Sequence, residues 1–409
     1  MNNELNKKLT NLLEKKDTKK SFSYPLLEDA FSSKDLLEAI KVILSRQITM
    51  SHKTKKFEKA FSKFIKSKYC LMVNSGSSAN LLAFFALMNP LKKNKLKKGD
   101  ECIVPAICWS TSLWPIHQAG LKPKFIDVDK KTFSINYETL KANITKKTKA
   151  IMLVNVLGNC SEIDKIRSIA NKKKIYLIED NCESLGSIYK NKHLGTFGDF
   201  STFSFYYTHQ ITSGEGGMIV CKNKHDYRIL QSLRAHGWDR EYTKNKKTFN
   251  FVNQGFNLRP LETSAAIALN QLKRIKSFKK VRKENRNKIV KELKTSSNWN
   301  NQYSFFEASK NLDPSWFGIP FLINKEFLSK KKVFLQYLEK NKVETRPIIS
   351  GNFANQASVK IHKIKFNLRK LKNAQEIEKR GFFIGLPTKP LSTKIIKRLS
   401  NLLLHITNI

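Results

Sequence analysis

AIMLVNVLGNCSEIDKIRSIANKKKIYLIED, residues 150–180, decides how this 409-residue chain is read. AIMLVNV (150–156) and IYLIED (175–180) are continuous apolar runs rich in β-branched residues, the pattern of strands buried on both faces of a parallel sheet. SEIDKIRSIANKKK between them has helical periodicity, so the stretch is a β-α-β unit. Working outward, YCLMV (69–73), ECIVP (101–105) and KFIDV (124–128) are further strands of the same kind. SANLLAFFALM and STSLWPIHQAG read as helices between them. The fold class is therefore α/β with a mostly parallel sheet, and ligands are expected at the carboxyl ends of its strands.

DFSTFSFYY and GGMIVCK read as shorter strands flanking a loop, and a long basic helix over about 262–296 leads out of the large unit. SWFGIPFLI, a helix near 326–340, VETRPII and a final helix suggest a smaller α+β unit. The expected division is an N-terminal arm over 1–34, helical over its first 20 residues, a large α/β domain over 35–275 and a small α+β domain over 276–409.

Lys and Arg number 76 against 33 Asp and Glu, a formal charge of +43. Such a field attracts polyanions. The excess is mostly Lys and runs from LNKKL to KIIKR with no single stripe, so it reads as a solvated surface, with no nucleic-acid partner expected. The six cysteines are scattered without a CxxC pair, consistent with reduced thiols and a cytoplasmic location. The first 20 residues hold no apolar signal core, and no stretch of about 18 apolar residues suggests a membrane partner.

Three separated segments carry chemistry. Asn74-Ser75-Gly76-Ser77-Ser78-Ala79-Asn80 follows a strand and opens a helix, which suits either an anion cup or an ordinary helix cap. Glu179-Asp180-Asn181-Cys182-Glu183 ends a strand; Asp180 could hold a pyridine nitrogen protonated or simply cap the next helix. Thr202-Phe203-Ser204 leads through Tyr206 and His209 to Gly214-Glu215-Gly216-Gly217.

Together with Gly195-Thr196-Phe197-Gly198-Asp199, these segments resemble the DegT/DnrJ/EryC1/StrS family of sugar aminotransferases and related enzymes, from about residue 40 to the C-terminus. The resemblance implies the type I pyridoxal-phosphate aminotransferase fold, pyridoxal or pyridoxamine 5′-phosphate as cofactor, and a homodimer with shared active sites. It departs at His209, where the aminotransferases keep the lysine that forms the Schiff base. Imidazole cannot form that link but can move protons near neutral pH.

A histidine there resembles the 3-dehydratases of nucleotide-linked 4-keto-6-deoxyhexoses, lyases of deoxysugar and lipopolysaccharide O-antigen biosynthesis. Arg234-Ala235-His236-Gly237-Trp238, Gly255 to Glu262, Ser315 to Gly318 and Thr345 to Phe353 point to the same branch. GDP-4-keto-6-deoxy-D-mannose is the implied substrate and glutamate the implied amino donor. A CDP-sugar 3-dehydratase and an ordinary sugar aminotransferase are the alternatives. The CDP-sugar enzymes carry an iron–sulfur cluster, which needs thiolates; DREYTKNKKTFNFVNQ (239–254) has no cysteine, so no cluster is expected.

The resemblance further implies that Gly76, Ser77 and Ser204 hold the cofactor phosphate, with Asn257 entering from the partner subunit. Trp109 would stack on the ring unless it is a plain core tryptophan. Asp180 would pair with the ring nitrogen, Glu183 would face the ring hydroxyl, and His209 would be the catalytic acid–base. His236 would reach the neighbouring site, and Arg259 and Arg346 are either anion anchors or surface ion pairs. No metal ligand set is expected.

Overall fold

The computed structural model describes residues 3–14, 22–27, 31–243 and 249–409. Seven strands form the large sheet: β1 (Tyr69–Val73), β2 (Glu101–Pro105), β3 (Lys122–Ile126), β4 (Thr148–Val154), β5 (Tyr176–Asp180), β6 (Phe200–Ser204) and β7 (Gly217–Cys221). Their spatial order is β1-β7-β6-β5-β4-β2-β3. The block from β3 to β6 is parallel, and β7 runs antiparallel to both neighbours, β1 and β6. The continuous apolar runs are buried from both sides, as a parallel sheet covered by helices requires.

Two strands sit slightly earlier than the apolar runs suggest. β3 ends at Ile126 because the Asp127 carboxylate accepts the backbone N–H groups of Asn373 (2.8 Å) and Ala374 (2.9 Å) and caps the helix Lys372–Arg380. β4 ends at Val154 because the Asn155 amide turns to Asn181, at 2.8 Å.

The expected long basic helix is two helices, Glu262–Leu272 and Ile275–Thr295. Before the break, Leu272 packs in the core under β6 and β7; after it, Ile289, Val290 and Leu293 serve the core shared with the small sheet. One straight helix cannot face both. The side chains of Asn270, Gln271 and Arg274 pin the corner to the fully buried Asp35 carboxylate on the helix Ser33–Leu44.

The small sheet is antiparallel, with β8 (Tyr303–Phe305), β9 (Gly318–Ile323), β10 (Thr345–Arg346) and β11 (Gly381–Gly385) in the order β8-β9-β11-β10. Of the expected helical arm, Asn3–Glu14 is helix, while residues 1–2 and 15–20 lie outside the described residues. Tyr24 then pairs with Val343, and its hydroxyl donates to the Gly385 carbonyl at 3.0 Å. Ile188–Tyr189, Lys192–His193 and Leu312–Asp313 form a third small sheet, which carries residues 315–317 toward the end of β5. Among the described residues no helix is long and apolar enough to cross a membrane.

Candidate active site

The carboxyl ends of β1, β5 and β6 converge. β1 delivers Ser75, whose side chain accepts the Ser78 N–H at 3.0 Å and starts the helix Gly76–Leu87. A Cβ on Gly76 would lie 2.6 Å from Ser204 Cβ and 3.1 Å from Cys182 Sγ, so only glycine lets the three segments meet. On Gly217 it would lie 2.2 Å from the Ser75 oxygen and 2.7 Å from the Gly76 nitrogen. Ser77 donates to the Thr111 hydroxyl at 3.3 Å, joining this turn to the helix Ser110–Gln118. Ser75 is an ordinary helix cap, and the helix start beside the Ser77, Thr111 and Ser204 hydroxyls carries the kind of donors that an anion cup requires.

Trp109 lies one residue before the helix Ser110–Gln118 and is 56% exposed, so the core-tryptophan alternative fails. Asp180 ends β5 and is nearly fully buried. Its Oδ2 accepts from Asn80 Nδ2 (3.0 Å) and Ser112 Oγ (2.8 Å), and its Oδ1 from the Cys182 N–H (3.1 Å). Glu179, beside it in the motif, is structural: it is fully buried and accepts the N–H groups of Gly195, Phe197 and Gly198 and the Ser201 hydroxyl. Glu183 accepts the Leu157 N–H at 2.9 Å, and burial, with Asp180 nearby, pushes its carboxyl up to about 7.

The loop between β6 and β7 is cinched at its neck, where Phe205 N–H donates to Gly216 O and Ser213 N–H to Phe205 O, both at 2.9 Å. His209 is carried inside it, its N–H donating to Tyr206 O at 3.0 Å. The ring stands edge-on to Phe317 at 5.2 Å between centroids and to Tyr206 at 5.9 Å. Burial and the charge of Arg282 push the imidazole down to about 3, so it is neutral at physiological pH. Its Nδ1 is buried without a partner among the described residues. Arg282, 1% exposed, likewise leaves Nε and Nη1 unpaired.

Gly76, Ser77, Asp180, Glu183, Ser204 and His209 thus belong to one converging set of loops. His236, Asn257 and Arg259 form a separate exposed cluster: Arg259 Nε donates to Asn257 Oδ1 at 3.1 Å, and its Nη2 lies 3.2 Å from His236 Nε2. Arg346 is on the edge strand β10, 55% exposed, in an ion pair with Glu344 at 2.8 Å, the surface-pair alternative. Sequence reasoning assigned no role to Asn80, Ser112, Phe317 or Arg282. Asn80 and Phe317 lie within quoted motifs, whereas Ser112 and Arg282 carry no local signal.

These features match known proteins. The chain is 40% identical over 376 residues, 89% of its length and 95% of the relative's, to GDP-4-keto-6-deoxy-D-mannose 3-dehydratase of Escherichia coli O55:H7 (strain CB9615 / EPEC). A solved structure of the E. coli GDP-4-keto-6-deoxy-D-mannose-3-dehydratase with bound hydrated PLP superposes with a TM-score of 0.86 at 38% identity, covering 93% of this chain and 99% of that one. Another of a GDP-4-keto-6-deoxymannose-3-dehydratase, with a trapped PLP-glutamate geminal diamine, gives 0.85 at 38% identity, with 93% and 100% covered. The type I fold expected from the motifs is the fold found. A profile of the DegT/DnrJ/EryC1/StrS aminotransferase family matches residues 30–400, and the chain belongs to that family.

Proposed function

We propose that this chain is a lyase that removes the C3 hydroxyl of a nucleotide-linked 4-keto-6-deoxyhexose, GDP-4-keto-6-deoxy-D-mannose, with pyridoxal or pyridoxamine 5′-phosphate as cofactor. The observation that carries the reading is His209: a neutral imidazole stands where the family's aminotransferases have an amine-bearing side chain. The likeness to 3-dehydratases over most of the chain supports it.

The residues fit the cofactor. Gly76 lets Ser204 approach the start of the helix Gly76–Leu87, so that Gly76, Ser77 and Ser204 would together hold a phosphate, and exposed Trp109 offers an indole face to a ring. Asp180 would accept a ring N–H, and Glu183 would face the ring hydroxyl. When bound, the cofactor would supply an amine and a protonated ring able to absorb electrons. Asp180 holds the ring proton in place. His209, free of any covalent duty, takes a proton at its ring nitrogen and returns one to the departing C3 hydroxyl. Phe317 and Tyr206 shield the imidazole edge-on and fix its plane. Asn257, His236 and Arg259, exposed together on one surface, serve the neighbouring site of a homodimer. Glutamate is the amino donor, as the glutamate adduct of the related structure suggests. The reaction is placed in the cytoplasm, yielding a 3-deoxy-4-keto sugar and ammonia.

The test is incubation of the protein with GDP-4-keto-6-deoxymannose, cofactor and glutamate, following ammonia and the sugar's mass. Ammonia release with loss of the C3 oxygen supports the proposal. An amino sugar as product overturns it in favour of aminotransfer, and preference for the CDP-linked sugar overturns the choice of nucleotide.

A further inference from the structure

Four elements meet around Asp180, and the family resemblance assigns a role to only one of the side chains. Asp180 on β5 lies in register with Thr202 on the parallel strand β6, which sets their side chains next to each other on one face of the sheet. Asn80, from the first turns of the helix Gly76–Leu87, and Ser112, from the first turn of the helix Ser110–Gln118, cover that face. All four side chains are buried: Asn80 is 1% exposed, Asp180 4%, and Ser112 and Thr202 fully enclosed.

The hydrogen bonds run in one direction. The Thr202 hydroxyl donates to Asn80 Oδ1 at 2.6 Å, Asn80 Nδ2 donates to Asp180 Oδ2 at 3.0 Å, and Ser112 Oγ donates to the same Oδ2 at 2.8 Å. The order fixes the Asn80 amide, because turning it over would set its carbonyl against a carboxylate oxygen. Two side-chain donors therefore converge on Oδ2, while Oδ1 takes the Cys182 N–H at 3.1 Å, with the Cys182 thiol also hydrogen-bonded to the carboxylate. A carboxylate removed from water stays ionised only when donors replace its hydration.

Resting on the reading above, we infer that Asn80 and Ser112 are positioning residues that hold Asp180 as an oriented anion, so that Oδ1 keeps the cofactor's ring nitrogen protonated. Thr202 completes the relay by orienting Asn80. A merely structural network would affect stability alone; this one sets the proton affinity of a ring that none of the three touches.

The test compares the wild-type protein with Ser112→Ala, Ser112→Thr and Asn80→Ala. It measures pyridoxamine phosphate binding by equilibrium dialysis and titrates the bound ring by its absorbance against pH. Ser112→Ala removes one hydroxyl and little volume. It is expected to bind about tenfold more weakly, with the ring nitrogen losing its proton about one pH unit lower, since a hydrogen bond to a charged group is of that order. Ser112→Thr should restore both, and Asn80→Ala should shift both in the same direction as Ser112→Ala. Should Asn80→Ala fail to fold, the serine pair decides alone. Unchanged binding and ring titration in Ser112→Ala overturn the inference, as does a Ser112→Thr protein that behaves like Ser112→Ala. A wild-type protein that binds the cofactor but releases no ammonia from the sugar overturns the dehydratase reading and leaves the Asp180 comparison standing. One that binds no cofactor overturns both.

Discussion

Glu183→Gln tests the electrostatics of the site without the reaction. The carboxyl is pushed from the ordinary 4.5 to about 7, first by burial and then by Asp180, against the lowering effect of the Leu157 N–H. The folded chain therefore holds this proton more tightly than the unfolded chain does. Below about pH 4.5 both states are protonated and burial carries no ionic penalty. Between 4.5 and 7 the unfolded chain alone ionises, and stability falls by about 1.4 kcal/mol per pH unit. The loss approaches about 3 kcal/mol, and partial exposure of the side chain reduces it to about 2. Glutamine keeps an oxygen for the Leu157 N–H and cannot ionise. In protein dialysed free of cofactor, the variant should melt about 2–3 °C above wild type at pH 8.5 and within about 1 °C of it at pH 5, given the entropy of unfolding for a chain of this size. Differential scanning calorimetry at the two pH values checks this. An equal difference at both, or a variant less stable at pH 8.5, refutes the argument that burial holds the proton on Glu183.

Four further outcomes are expected. His209→Asn should lower kcat by about 10²–10⁴ while leaving pyridoxamine phosphate binding within a few-fold, read by stopped assay and dialysis. Because the wild-type imidazole is pushed down to about 3, it stays neutral as pH falls through 6.5, and kcat/KM should show no His209-dependent acid limb there. A limb near 6.5 that vanishes in His209→Asn would contradict this. Gly217→Ala drives a methyl against Ser75 and Gly76, so the dialysis Kd for cofactor should rise at least about tenfold. Glu262→Ala leaves the N–H groups of Ser51, Lys53 and Thr54 without their shared buried carboxylate. A cost of about 3–5 kcal/mol follows, visible as a melting temperature about 4–6 °C lower.

Most of the parallel strands were legible because they contain short apolar runs, a local property of the chain, although β6 reads Phe-Ser-Thr-Phe-Ser. The strand order was not: that β7 lies between β1 and β6 depends on pairings such as Leu71 with Ile219, which no local pattern encodes. The break at Lys273 and Arg274 was hidden for the same kind of reason. Its cause is Asp35, more than 230 residues away along the chain. Within the site, Gly76, Asp180 and Ser204 lie at or just after strand ends, and His209 in the loop after β6, all inside recognisable segments. Ser112 and Arg282 carried no such signal, because their surroundings are set by segments distant in the chain. Arg346 was ambiguous in sequence because arginine suits both an anion and a neighbouring glutamate, and in the fold it pairs with Glu344.

The loop between β6 and β7 closes on itself at Phe205, Ser213 and Gly216, so the sheet holds its two ends whatever side chain it displays at its crest. Such a bracket holds the backbone of the loop by main-chain bonds alone, so the side chain at residue 209 is not needed to keep it closed.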